Sequence, residues 1–90
     1  MNSMKKIFKN EAARKILLFF NENPNCIDTV QGISLWIGSD AGIIQKEIDR
    51  LVKEGIITSH RTASTTAYAY TNNKIIVKNI EKYIKNIKGL

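Results

Sequence analysis

The chain changes its periodicity at one glycine. In "IIQKEIDRLVKEGIIT", residues 43–58, Ile44, Ile48, Leu51 and Val52 recur on one helical face. Gly55 then interrupts the pattern, and from Ile56 the side chains alternate in the manner of a strand. A helix that ends in glycine and passes at once into a strand excludes a purely helical bundle, and the chain is expected to combine helices with a small sheet. At about 100° per residue, the face opposite the apolar stripe carries Gly42, Lys46, Asp49 and Lys53, flanked by Gln45 and Arg50.

The segments around this junction extend the pattern. "EAARKILLFFNENPN" follows Asn10, a good N-cap, and its Ala12, Ala13, Ile16, Leu17, Phe19 and Phe20 cover more than half a helical circumference before Asn23-Pro24 stops it. That breadth predicts a central helix. Met4, Ile7 and Phe8 either extend it backwards or form a short helix of their own. In "DTVQGISLWIGSD", Asp28 and Gln31 have capping-box spacing, Val30, Ile33 and Ile37 form a stripe, and Gly38 is placed to close the helix. Ser39 or Asp40 can cap the helix that follows.

Downstream, "IITSHR" and "TTAYAYT" are rich in β-branched and aromatic residues, with "TAST" between them, which predicts a hairpin. Thr71 can cap a last helix. Within it Ile76, Ile80, Tyr83, Ile87 and Leu90 recur at heptad-like intervals, while Lys78, Lys82 and Lys85 project from the far side.

Size and charge limit what such a chain can do. Ninety residues, 43% of them apolar, suffice for one domain with a modest core. A chain this short hides only roughly 60–65% of its unfolded surface, so a partner chain is a natural source of further stability. The net charge of +6, from 14 basic and 8 acidic residues, favours an anionic partner. No apolar run approaches the roughly 20 residues that span a bilayer, and Met1–Lys9 lacks a signal-like hydrophobic core. With a single cysteine, Cys26, a reducing cytoplasmic location is expected and no membrane is implied.

The order of helix, helix, helix, hairpin and helix resembles the winged helix-turn-helix. "GISLWIGSDAGIIQKEIDRLVKEGII" is similar to that family's core pattern through Ile33, Ser34, Ile37 and Gly38, then Ile44, Ile48, Leu51, Gly55, Ile56 and Ile57. "YAYT" resembles the strand that leaves the wing in ArsR-like and MarR-like transcription regulators. The resemblance implies an α+β winged helix-turn-helix spanning residues 1–90: a three-helix core, a two-stranded wing and a C-terminal helix. The core covers residues 10–71, with a recognition helix at about 41–54, a wing at about 56–70 and the C-terminal helix at 72–90.

What the resemblance implies for function is binding of double-stranded DNA, with helix 41–54 in the major groove. Ala41 and Gly42 allow close approach, Gln45 can pair with adenine, Lys46 can donate to guanine or phosphate, and Ile43 can meet a thymine methyl. His60 and Arg61 lie near the wing tip. With Ser39, Asp49, Arg50 and Lys53, these residues make up the expected DNA surface. Asp49 can accept from a cytosine amine or hold Lys46 or Lys53 in position. Lys46, Arg50 and Lys53 are equally readable as an ordinary solvated face, because Asp40, Glu47, Asp49 and Glu54 outnumber them. Most positive charge lies instead in Lys5, Lys6, Lys9, Arg14, Lys15 and the last helix.

The row Ile76, Ile80, Tyr83, Ile87 and Leu90 is expected to pack against the same helix of a second copy or against the N-terminal helix, giving a homodimer whose recognition helices stand about 34–36 Å apart, or else back onto the chain's own core. His60 and Cys26 are isolated, and neither a phosphate loop nor a nucleophile-base pattern is present. No metal, cofactor, small-molecule effector or enzymatic activity is expected. Cys26 reads as a small buried or half-buried residue. Two functions remain: a small dimeric transcription regulator, acting as a repressor, or a winged-helix module that binds a protein of the transcription or replication machinery.

Overall fold

The computed structural model describes residues 2–88. It contains α1 (Asn2–Lys9), α2 (Glu11–Glu22), β1 (Ile27–Asp28), α3 (Val30–Ile37), α4 (Ala41–Lys53), β2 (Ile57–Arg61), β3 (Thr66–Tyr70) and α5 (Lys74–Lys88). Ile7 and Phe8 belong to a separate first helix. Asn10 divides it from α2, its side chain accepting from the Ala13 amide at 2.9 Å. Arg14 closes the other side of this joint by donating from Nη1 to the Phe8 carbonyl at 3.0 Å.

At the periodicity change, Gly55 adopts φ 76°, and the Ile56 amide returns to the Leu51 carbonyl at 3.0 Å. This left-handed residue satisfies the last helical carbonyls and turns the chain directly into β2. The sheet has three antiparallel strands in the order β1-β3-β2, not the two expected of the hairpin alone. Ile27 pairs with Ala69 and Asp28 with Tyr68 on one side of β3; Ile57 pairs with Tyr70 and Arg61 with Thr66 on the other. A two-residue strand is too short to show alternation, so its pairing partner 40 residues away is what makes it a strand.

Two expected caps move by one or two residues. Asp28 spends its carboxylate on the adjacent Thr29 amide at 2.8 Å, while Thr29 caps α3 by accepting from the Gly32 amide at 3.2 Å. A Cβ on Gly32 would run into the Asp28 carboxylate, so glycine is what lets the strand end approach the helix. Thr71 is buried beside the sheet, its amide bonded to the Ile56 carbonyl at 2.9 Å. The cap of α5 is Asn73, whose Oδ1 accepts from the amides of Ile75 and Ile76.

The core is built around α2, from which Ala13, Ile16, Leu17, Phe19 and Phe20 are buried. Ile33, Ile44, Ile48, Leu51, Ile56, Ile57, Tyr68 and Tyr70 complete the winged body. From the other end Ile80 and Ile84 of α5 enter the same core, and Tyr83 stacks on Phe8 at 5.1 Å between ring centroids. The row expected to face a second copy is therefore spent on the chain's own core at Ile80, with Ile76 and Tyr83 half-buried; Ile87 and Leu90 lie outside the residues whose side chains are described.

Tyr70 stacks on Phe20 with centroids 6.0 Å apart and is 7% exposed, and its hydroxyl is buried without a hydrogen-bond partner among the described residues. Burial, followed by the Glu81 carboxylate, pushes its pKa up to about 12. The folded pKa exceeds the unfolded value of about 10, so the contribution of neutral Tyr70 is complete below pH 10 and is lost as pH rises towards 12. Tyr70→Phe is expected to leave stability at pH 7 unchanged or raise it by about 1 kcal/mol, because the buried donor disappears with its desolvation cost. Urea denaturation of both proteins from pH 9 to 11.5 is expected to show the variant gaining on the parent with rising pH; parallel curves would contradict the burial of the hydroxyl.

Candidate nucleic-acid interface

Between α3 and α4 the chain turns tightly. Gly38, at φ 76°, and Ser39 both donate their amides to the Ser34 carbonyl, at 2.7 and 3.1 Å. Asp40 then caps α4, with Oδ2 accepting from the amides of Gly42 and Ile43 at 3.0 and 3.2 Å. A Cβ at Gly42 would come within 3.0 Å of that same oxygen, which explains a glycine in the first turn of a helix: it keeps the cap tight. The result is a rigid helix N-terminus, anchored below by buried Ile44, Ile48 and Leu51.

The outward face of α4 presents exposed Gly42, Ile43, Lys46, Asp49 and Lys53, with Ala41, Gln45 and Arg50 half-buried. Of its acidic residues only Glu47 is turned into the protein, where Arg50 lies 3.5 Å away; Asp40, the N-cap, and Glu54, the C-cap, remain exposed. Arg50 is correspondingly engaged along its own helix. Asp49 does not hold Lys46 or Lys53; its Oδ1 accepts from the Gln45 side-chain nitrogen at 2.9 Å. The exposed cations of the helix are then Lys46 and Lys53, with Asp49 exposed on the same face and Asp40 and Glu54 exposed at the two ends.

The wing joins this surface on one side only. The pleat places Arg61 on the same sheet face as its partner Thr66 and, further along β3, Tyr68 and Tyr70, and His60 on the opposite face, where its Nε2 lies 3.0 Å from Thr58 Oγ1. Arg61 consequently shares an open cleft with Gly42 and Gln45, walled by Thr29, Gln31, Thr65, Thr66 and Tyr68. Ser39 and Ile43 border a second groove with Asn10, Glu11 and Lys15. Of the expected DNA surface, the fold brings together Ala41, Gly42, Gln45 and Arg61, sets Lys46, Asp49 and Lys53 along the adjoining helix face, and leaves His60 across the sheet.

Tyr68 and the Thr29–Gln31 edge were not anticipated. The hydroxyl of Tyr68 accepts from the Gln45 nitrogen at 3.2 Å, a contact between residues 23 positions apart that no local pattern encodes. Thr29 and Gln31 enter because β1 ties the start of α3 to β3. A substitute for these would have been the Asp-Thr pair itself, since either residue can cap a helix. Among the described residues no group of three or more His, Cys, Asp or Glu could hold a metal ion, and Cys26 is half-buried. No described helix is long and apolar enough to cross a membrane.

No family model and no curated protein sequence matches the chain. Its architecture, in contrast, coincides with solved structures. The antimony-specific transcriptional repressor AntR superposes with a TM-score of 0.77 at 14% identity, over 97% of this chain and 76% of that one. HlyU from Vibrio cholerae gives 0.69 at 16% identity, over 97% and 89%. The homodimeric winged helix-turn-helix DNA-binding domain of Mb0332 from Mycobacterium bovis gives 0.70 at 12% identity, over 96% and 80%. At such identities the likeness establishes the fold, an α+β winged helix-turn-helix.

Proposed function

We propose that this winged helix-turn-helix protein binds double-stranded DNA sequence-specifically, as a small homodimeric transcription regulator that represses by occluding a promoter. The observation that carries the reading is the outward face of α4: short residues at a capped N-terminus, Lys46 and Lys53 alongside, and Arg61 of the wing meeting it across one cleft. A helix enters the major groove by its N-terminal residues, and basic side chains beside it fix its register on phosphates. The structural neighbours described as a repressor and as a homodimeric DNA-binding domain support both parts of the proposal. Nothing in this role requires catalysis, a cofactor or a small-molecule effector.

The terminal helices are the proposed dimer surface. Phe8 and Tyr83 lock α1 to α5, and Ile75, 73% exposed, stands on the outer side of α5. Of the apolar row, Ile76 and Tyr83 keep part of their surface for a partner. Sedimentation equilibrium is expected to give about twice the 10.2 kDa chain mass.

Lys46→Ala tests the placement of α4. The exposed lysine makes no ion pair among the described residues, so its removal should leave stability nearly unchanged and weaken DNA binding about tenfold, with a shallower salt slope. Unchanged affinity would remove α4 from the interface.

A second reading rests on α3, where Leu35 and Trp36 are 85% and 74% exposed. Two large apolar side chains on an outer face suit a protein partner in the transcription or replication machinery. Binding to such a partner, unlike binding to phosphates, has no reason to collapse with modest salt.

A further inference from the structure

We infer that Asp49 and Tyr68 orient the Gln45 carboxamide so that it reads DNA as a hydrogen-bond acceptor, selecting a base that carries an amine, adenine or cytosine. The inference rests on the DNA-binding reading above and deepens it.

A free glutamine offers a base both a carbonyl oxygen and two N–H donors, the combination that pairs bidentately with adenine. Here the amide nitrogen is committed twice, to Asp49 Oδ1 at 2.9 Å and to the Tyr68 hydroxyl oxygen at 3.2 Å. An ionised carboxylate can only accept, so the amide must turn its NH₂ group towards Asp49; the reversed orientation would set two oxygens against each other. Tyr68 is buried in the sheet and held there by the fold, while Asp49 is exposed and lies one turn further along the same helix. What the amide retains for the cleft beside Gly42 and Arg61 is its carbonyl oxygen. In the major groove the donors at the corresponding position are adenine N6 and cytosine N4, whereas guanine O6 and thymine O4 are acceptors and would oppose it.

Asp49 thereby acquires a use despite its charge. It costs affinity for the phosphate backbone and supplies selectivity at one base pair, acting through Gln45 as a positioning residue without requiring its own contact to DNA.

The test is parallel selection from a random duplex pool near physiological salt with the parent, Gln45→Ala, Asp49→Ala and Tyr68→Phe. Gln45→Ala identifies the position read by residue 45, as the one whose preference it abolishes. The parent is expected to favour adenine and cytosine there on one strand of the half-site, and hence thymine and guanine on the other, by about fivefold to tenfold over the reversed pairs. Asp49→Ala is expected to flatten that preference or narrow it to adenine while total affinity rises a few-fold; Tyr68→Phe should act in the same direction and more weakly. A parent specific for adenine alone, or one that divides the pairs otherwise, purine from pyrimidine or A·T from G·C, or an Asp49→Ala profile identical to the parent's, overturns the inference while leaving DNA binding intact. A parent that enriches no duplex overturns the DNA-binding reading and the inference together.

Discussion

Between 50 and 200 mM salt the affinity of the proposed dimer for its selected DNA duplex is expected to fall by about 10³–10⁵. A factor of that size follows from neutralising six to ten phosphates, because each contact releases condensed counterions. Lys46 and Lys53 on α4 and Arg61 on the wing are exposed, which gives the proposed dimer six cations on this surface, enough to reach it. Not every basic residue contributes. Arg14 is bonded to the Phe8 carbonyl, Lys15 lies 3.2 Å from Glu11, and Arg50 lies beside Glu47. Fluorescence anisotropy across this salt range gives the slope. A change of less than tenfold would assign the binding to few phosphates and favour the protein-partner reading of α3.

The second large effect is on the fold. Phe20→Ala is expected to cost about 3–5 kcal/mol, from the lost burial and the cavity left behind. Phe20 is fully buried, meets Phe19 edge-on at 5.1 Å and stacks on Tyr70, so it links α2 to the sheet that carries the wing. Folded domains are stable by roughly 5–15 kcal/mol, and a 90-residue chain belongs to the lower part of that range. The variant is expected to lose a third or more of its stability, and to lose DNA binding with it when warmed. Urea midpoints read by circular dichroism check the prediction; a loss below about 1 kcal/mol would mean that α2 is not the centre of the core.

Much of this architecture was legible because its signals are local. Gly38 and Gly55 sit where positive φ is needed, Asn10 and Asp40 cap the helices they precede, and "TAST" is the loop between β2 and β3. Each depends on residues within one helical turn or one hairpin. The misplacements have the same origin in reverse. Asp28 and Thr71 have good capping chemistry, but tertiary pairing of the neighbouring backbone, with Tyr68 and with Ile56, shifted the cap to Thr29 and Asn73. The third strand is likewise defined only by β3.

At the candidate site, sequence periodicity placed Lys46, Asp49 and Lys53 on one exposed face, as found. It did not show that Glu47 is buried beside Arg50 or that Asp49 faces Gln45, because both depend on packing and not on helical period. The separation of His60 from Arg61 follows from strand pleating, which was readable in principle once the register against Tyr68 was known. The heptad-like row in α5 shows the opposite limit: a stripe of period 3.5 fits a partner helix and a small core equally well, and Ile80 is used by the core.

Selection of bound duplexes from a random pool near physiological salt decides whether α4 of the proposed dimer reads a DNA sequence. An enriched inverted repeat with half-sites about one helical turn, roughly 34–36 Å, apart is the expected result. Recovery without enrichment, or no recovery at all, would contradict it.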